Sequence, residues 1–144
     1  MMKNYISVKK VKAEQCKAWK DFKGHKEGDE GYKIYYPDGY ISWCPKDIFE
    51  AQYLELEKEN TVSQSDVDNF IADIETIKMG DKTTVVQATL KNGFTIVDGS
   101  SCVDPKNFDM EIGKQCCMEH IKDKIWHYLG FLLQSADKGF SRGK

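Results

Sequence analysis

Arginine is almost missing. Of 21 basic residues only Arg142 is an arginine, so the chain lacks the side chain that makes forked contacts to phosphate and guanine. With a formal net charge of −2, nucleic-acid recognition is not expected. No stretch approaches the roughly 20 apolar residues of a spanning helix, and no apolar run follows the lysines of residues 1–12, so neither a membrane partner nor a secretory signal is expected. Cysteine is present but in the wrong pattern for a scaffold. Cys16, Cys44, Cys102, Cys116 and Cys117 are an odd count without a CxxC spacing, and adjacent residues on a helix point about 100° apart. Reduced thiols in a cytosolic compartment are the expected state. Phosphate-loop and dinucleotide signatures are also missing.

What is present suits a small folded protein. The 144 residues, 40% hydrophobic and 31% charged, suffice for one full domain or two small ones. Charge is segregated: Lys3, Lys9, Lys10, Lys12, Lys17, Lys20 and Lys23 make the start basic, and Glu50, Glu55, Glu57, Glu59, Asp66, Asp68, Asp73 and Glu75 make the middle acidic.

Tyr5 to Val11 reads as a strand, Gln15 to Phe22 as a short helix with Trp19 and Phe22 on one face, and Gly24 to Gly31 as a loop. Tyr32–Tyr36 and Tyr40–Trp43 flank Pro37-Asp38-Gly39, a hairpin in which proline presets one φ and glycine supplies a positive one. Pro45 opens a helix through Tyr53, with Cys44 at the cap, where a serine would serve better. Ser63 or Ser65 caps a helix carrying Val67, Phe70, Ile71 and Ile74 on one face. Thr83–Leu90 and Phe94–Val97 surround Asn92-Gly93, the signature of a type I′ hairpin. A long final helix follows Asp104-Pro105, with Met110, Cys117, Ile121, Ile125, Tyr128 and Leu132 on one stripe, and the polar tail from Ser135 is expected to fray. The expected fold class is α+β, with two small modules each combining an antiparallel hairpin with packed helices. Their expected bounds are 1–55 and 65–136, joined by a linker over 56–64 and followed by a tail over 137–144.

At the second hairpin the chain resembles a known family. Residues Leu90 to Val97, Ser101 to Asp109, Glu111-Ile112-Gly113, Asp123 to Trp126 and Leu129-Gly130-Phe131 are similar, in order, to a tailed-phage family named for gene product 49 of the N4 phage and gene 66 of the Sf6 phage. The resemblance covers roughly residues 62–134. Ahead of it, Tyr5-Ile6-Ser7, Asp29 to Tyr32, Gly39 to Lys46 and Phe49-Glu50 resemble a leader module of phage and prophage proteins over roughly residues 4–54, with Cys44 in place of the usual serine. That module precedes several small domains, including one whose relatives sequester nucleotide immune signals. The resemblance implies a phage or prophage origin, expression in the host cytoplasm and an accessory role. It transfers no catalytic residue.

Three clusters are candidates for function. Tyr32, Tyr35, Tyr36, Tyr40 and Trp43 place aromatics on both faces of the first hairpin; either they pack against Trp19, Phe22 and the Phe49 helix, or they form a binding surface. Gly99, Ser100 and Ser101 precede a helix start, where an anion or small ligand would meet N–H and hydroxyl groups, although an ordinary loop is the favoured reading. Cys116, His120, Asp123 and His127 share a helical stripe with soft-metal ligand types, but one helix supplies at most two or three ligands, so no metal and no cofactor is expected. Cys116 with His120, or Cys102, would be a nucleophile only with an orienting group and an oxyanion site, and neither has a signature here. The expected function is therefore binding without turnover, with a host protein as partner and a defence component as its class. Self-association is compatible with this. Capture of a small nucleotide is the alternative, and a metal-binding or hydrolytic protein comes third.

Overall fold

The computed structural model describes residues 1–142, an α+β chain with two separate three-stranded antiparallel sheets. Its contacts define two compact units, one of residues 1–55 with 133–144 and one of residues 56–132.

The first unit contains β1 (Lys12–Gln15), β2 (Gly31–Tyr35) and β3 (Ile41–Pro45) in that order, then α1 (Lys46–Gln52). The β2–β3 turn is built as its sequence predicts. Gly39 takes a φ of 91°, and Tyr36 both donates to the Tyr40 carbonyl and accepts from the Gly39 N–H. Aromatics seal both faces. On one, Phe22 stacks on the buried Trp43 at 5.1 Å and the indole N–H donates to the Cys16 carbonyl at 2.7 Å. On the other, Tyr32 stacks on Phe49 at 4.2 Å and Phe49 on Tyr53 at 4.6 Å.

Three expectations for this unit are corrected. Tyr5 to Val11 is not a strand of the sheet. Its would-be partner is used up, because Tyr35, the last residue of β2, already pairs with Lys12 and the Pro37 turn follows. Gln15 to Phe22 is not helical. Cys16 and Ala18 donate to the carbonyls of Gly31 and Asp29, and Phe22 bridges His25. The Trp19–Phe22 contact that suggested a helix is made within this loop, edge to face at 5.3 Å. Cys44 lies within β3, whose last residue, Pro45, is the cap residue of α1, without a side-chain bond to the helix. The expected benefit of a serine at 44 therefore has no basis.

The second unit contains α2 (Gln64–Asn69), β4 (Ile71–Met79), β5 (Thr83–Leu90), β6 (Thr95–Ser101) and α3 (Met110–Lys138), whose last turns belong to the first unit. Ser63 is the cap of α2: its hydroxyl accepts from the Asp66 N–H, and Asp66 accepts from the N–H groups of Ser63 and Glu57. The helix stops at Asn69, and Ile71 and Ile74 lie in a strand. The helical spacing misleads because the β4–β5 register shifts between Ile71 and Asp73, and one extra residue in a strand reproduces a three-residue step on one face.

The β5–β6 hairpin is as expected, but its turn is not type I′. Among the described residues only glycines have positive φ, so Asn92 does not. Leu90 bonds both Phe94 and Gly93, with Gly93 at φ 87°. This is a three-residue loop closed by a left-handed glycine. Pro37-Asp38-Gly39 has the same construction, and in each the Asp38 or Asn92 side chain accepts from the N–H two residues on.

One face of this sheet, with Thr84, Val86, Ala88, Leu90 and Ile96, is buried together with Cys117, Ile121, Ile125 and Leu129 of α3, four residues spaced i,i+4. Lys122 binds Asp68 at 2.9 Å, tying α3 to α2. That hydrogen bond, with one from Gln64, holds the Asp68 carboxyl below its usual range. The tie is therefore present at neutral pH and is lost as pH falls through the lowered value. Ser135 to Lys138, expected to fray, form the final turn of α3, with Ser135 buried and Asp137 bonded to Lys10 at 2.6 Å. The last two residues of the expected tail, 143 and 144, lie outside the described residues.

Gly113 sets how closely α3 approaches the sheet. A Cβ there would stand 2.7 Å from the Thr84 Cβ and closer still to its hydroxyl. Gly113→Ala is expected to destabilise the protein by about 1–3 kcal/mol through overpacking, measured by urea denaturation.

Candidate functional site

The five aromatics of the first hairpin have separate roles. Trp43 is core, and Tyr32 is stacked and donates its hydroxyl to Glu50 at 2.8 Å. Tyr35 donates to Glu14 at 2.8 Å, beneath the Lys33 ammonium. Tyr36 and Tyr40 lean together at 5.6 Å, and Tyr40 is the exposed member at 64%. A shallow cleft of about 300 Å³ in the same unit is lined by Gln15, Cys16, Lys17, Glu30, Tyr32 and Lys46.

In the second unit, Ser100 and Ser101 reach a cleft of about 260 Å³ at the start of α3, together with Lys82, Asn107, Asp109 and Cys116. Gly99 lies one step away in the ladder, opposite Val85. The helix start is already satisfied, because the Asp109 carboxylate accepts from the N–H groups of Glu111 and Ile112. A resident carboxylate opposes a phosphate there. Thr84, 1% exposed, also lines this cleft, and its hydroxyl has no hydrogen-bond partner. Sequence reading missed Thr84, because threonine in a β-branched run reads as an ordinary strand residue.

The stripe on α3 is not drawn into one centre. His120 Nδ1 pairs with the Asp98 carboxylate at 2.8 Å, whereas His127 Nδ1–H donates to the Asp123 backbone carbonyl at 2.7 Å. No group of three or more His, Cys, Asp or Glu side chains poised around one ion occurs among the described residues. Burial pushes the Cys117 thiol up, and the neighbouring Asp98 adds to the rise. It is therefore a thiol, not a thiolate, at neutral pH.

A further surface was not singled out from the sequence. The register places Glu75, Ile77 and Met79 of β4, Val85 and Gln87 of β5, and Val97 of β6 on the sheet face opposite α3. Ile77, Met79 and Val97 are each roughly half exposed. The available signal was apolar residues of both parities, Val85-Val86 and Ile96-Val97, because a strand with one wet face alternates.

Two predictions follow from the buried polar groups. Thr84→Val removes a hydroxyl that is desolvated without a partner and is expected to stabilise the protein by about 1 kcal/mol; calorimetry giving a lower Tm would show that the hydroxyl is bonded. Cys117 is expected to resist alkylation in the folded protein while Cys102 and Cys116 react, as read by peptide mass spectrometry. Its raised pKa also withdraws stability as pH climbs past the ordinary thiol value of ~8.5.

Among the described residues no helix is long and apolar enough to cross a membrane. No curated protein and no solved structure matches the chain. A family model does match, over residues 62–136, which take in α2, the whole second sheet and most of α3. With more than half of its residues inside that match, the chain belongs to the Phage protein (N4 Gp49/phage Sf6 gene 66) family.

Proposed function

We propose that this phage protein is an accessory factor that acts in the host cytoplasm by binding a host protein, with a defence component as the class of target, and not by turning over a substrate. The observation that carries the reading is the open sheet face of the family-matched unit. Ile77, Met79 and Val97 stand on it, half exposed, beside Val85 and a row of threonines. An apolar face with Gln87 on its central strand and Asp73 and Glu75 along its β4 edge has the make-up of a docking surface.

Capture of a small nucleotide is supported by the cleft beside Ser100 and Ser101, and weakened by the Asp109 carboxylate at the helix start where a phosphate would sit. Hydrolysis through Cys102 is weakened because its thiol donates to the Asp104 carbonyl at 3.2 Å and not to a histidine.

The test compares baits in host lysate. Val97→Lys is exposed and is expected to leave stability within about 0.5 kcal/mol. The wild-type chain is expected to enrich one host protein reproducibly. The variant is expected to bind that protein, once purified, at least about tenfold more weakly. Equal binding to both, or no enrichment across host strains, overturns the reading. A nucleotide retained in native mass spectrometry would replace it with the alternative.

A further inference from the structure

Residues 1–11 have strand chemistry and no sheet. Tyr5, Ile6, Val8 and Val11 are β-forming residues set among lysines, yet the segment lies outside every ladder, with Tyr5 90% and Ile6 84% exposed. Its inner end is fixed, because Lys10 is bonded to Asp137 at 2.6 Å and β1 begins at Lys12. The stretch from Tyr5 to Lys9 is thus an arm leading into that fixed point, outside every ladder, with its backbone groups available to a sheet edge.

The arm's charge decides which edge suits it. Two arms pairing in parallel would set Lys9 and Lys10 against the same lysines, which is unfavourable directly across strands, and pairing antiparallel about Ser7 would set Lys9 against Tyr5 and leave both ammonium groups without a carboxylate. The β6 edge has one carboxylate, Asp98, already joined to His120. The β4 edge is different. It is the outer strand of its sheet, and it carries exposed Asp73 and Glu75 followed by exposed Ile77 and Met79.

Direction follows from order. The arm runs from aromatic Tyr5 to basic Lys9, and β4 runs from acidic Glu75 to apolar Met79. Only antiparallel pairing joins like with like at one end and opposite charges at the other. We propose that the arm of one copy adds antiparallel to β4 of a second copy, with Lys9 opposite Glu75 and Tyr5 opposite Met79, and that the exchange is reciprocal. The result is a two-fold dimer in which each second-unit sheet gains a fourth strand. Ser7 then faces Ile77, and Tyr5 extends the open apolar face. This inference does not depend on the host-partner reading.

Sedimentation velocity over a concentration series tests it. The wild-type chain is expected to dimerise, and a variant lacking residues 2–8 to remain monomeric with an unchanged circular dichroism spectrum. Lys9→Glu and Glu75→Lys each place like charges across both symmetric contacts and are expected to weaken self-association by about tenfold. Mixing the two variants is expected to restore dimers, because each arm in the mixed pair meets an opposite charge. A monomeric wild type, a deletion variant that still dimerises, or a mixture that regains nothing overturns the proposal.

Discussion

The second unit depends on one helix lying on one side of one sheet. Cys117, Ile121, Ile125 and Leu129 recur every four residues, and that row is what α3 buries against Val86, Ala88 and Leu90. Such a row drifts by about 40° per step around a straight helix, so over its roughly three turns it covers an apolar stripe about 120° wide. Close approach at the start of the strip requires Gly113 beside Thr84, where no Cβ fits. Three strands and one helix make two layers, and two layers leave a sheet face with nothing from this unit on it. The exposed Ile77 and Val97 are consequences of that layer count, as is the cleft where α3 begins beside the start of β5.

Where local chemistry has few solutions, the sequence was legible. Pro37-Asp38-Gly39 and Lys91-Asn92-Gly93 close their hairpins with the same pair of bonds and the same left-handed glycine. Asn-Gly nonetheless pointed to a two-residue turn. An asparagine that accepts from the N–H two residues on supports the three-residue form equally well, so the dipeptide identified the hairpin and not its type. The α2 cap was legible only as a choice between Ser63 and Ser65, and the reciprocal bonds of Ser63 and Asp66 decide it.

Long-range pairing was not legible. Ile71 and Ile74 have helical spacing, and only their β5 partners and the shifted register between Ile71 and Asp73 show them to be strand residues. The first strand starts at Lys12 and not at Tyr5 because its length depends on where β2 ends, at Tyr35, far along the chain. The candidate sites fared similarly. Sequence reading assembled the tyrosines and the α3 stripe as groups, and the fold distributes them: Trp43 to the core, His120 to Asp98, His127 to its own helix. The half-exposed sheet face escaped notice because each of its residues, taken alone, is an ordinary strand residue.

That face also poses a problem of solubility, and the charges along it and along the arm answer it. An exposed apolar face with two edges invites uncontrolled stacking and edge pairing. Asp73 and Glu75 stand on the face itself, along β4, and two such faces meeting in register would bring carboxylates together. Lys9, Lys10 and Lys12 mark the β1 edge and the arm before it with the opposite sign. Each device rejects its own kind, because acid repels acid and lysine repels lysine. Neither rejects the other. The charge segregation visible along the chain therefore acts as a selection rule in the folded protein, closing self-like contacts while leaving oppositely charged ones open. A chain with nearly all of its positive charge on lysine can apply this rule over a broad surface, since an ammonium is a strongly hydrated point charge on a flexible stem and does not demand one fixed geometry.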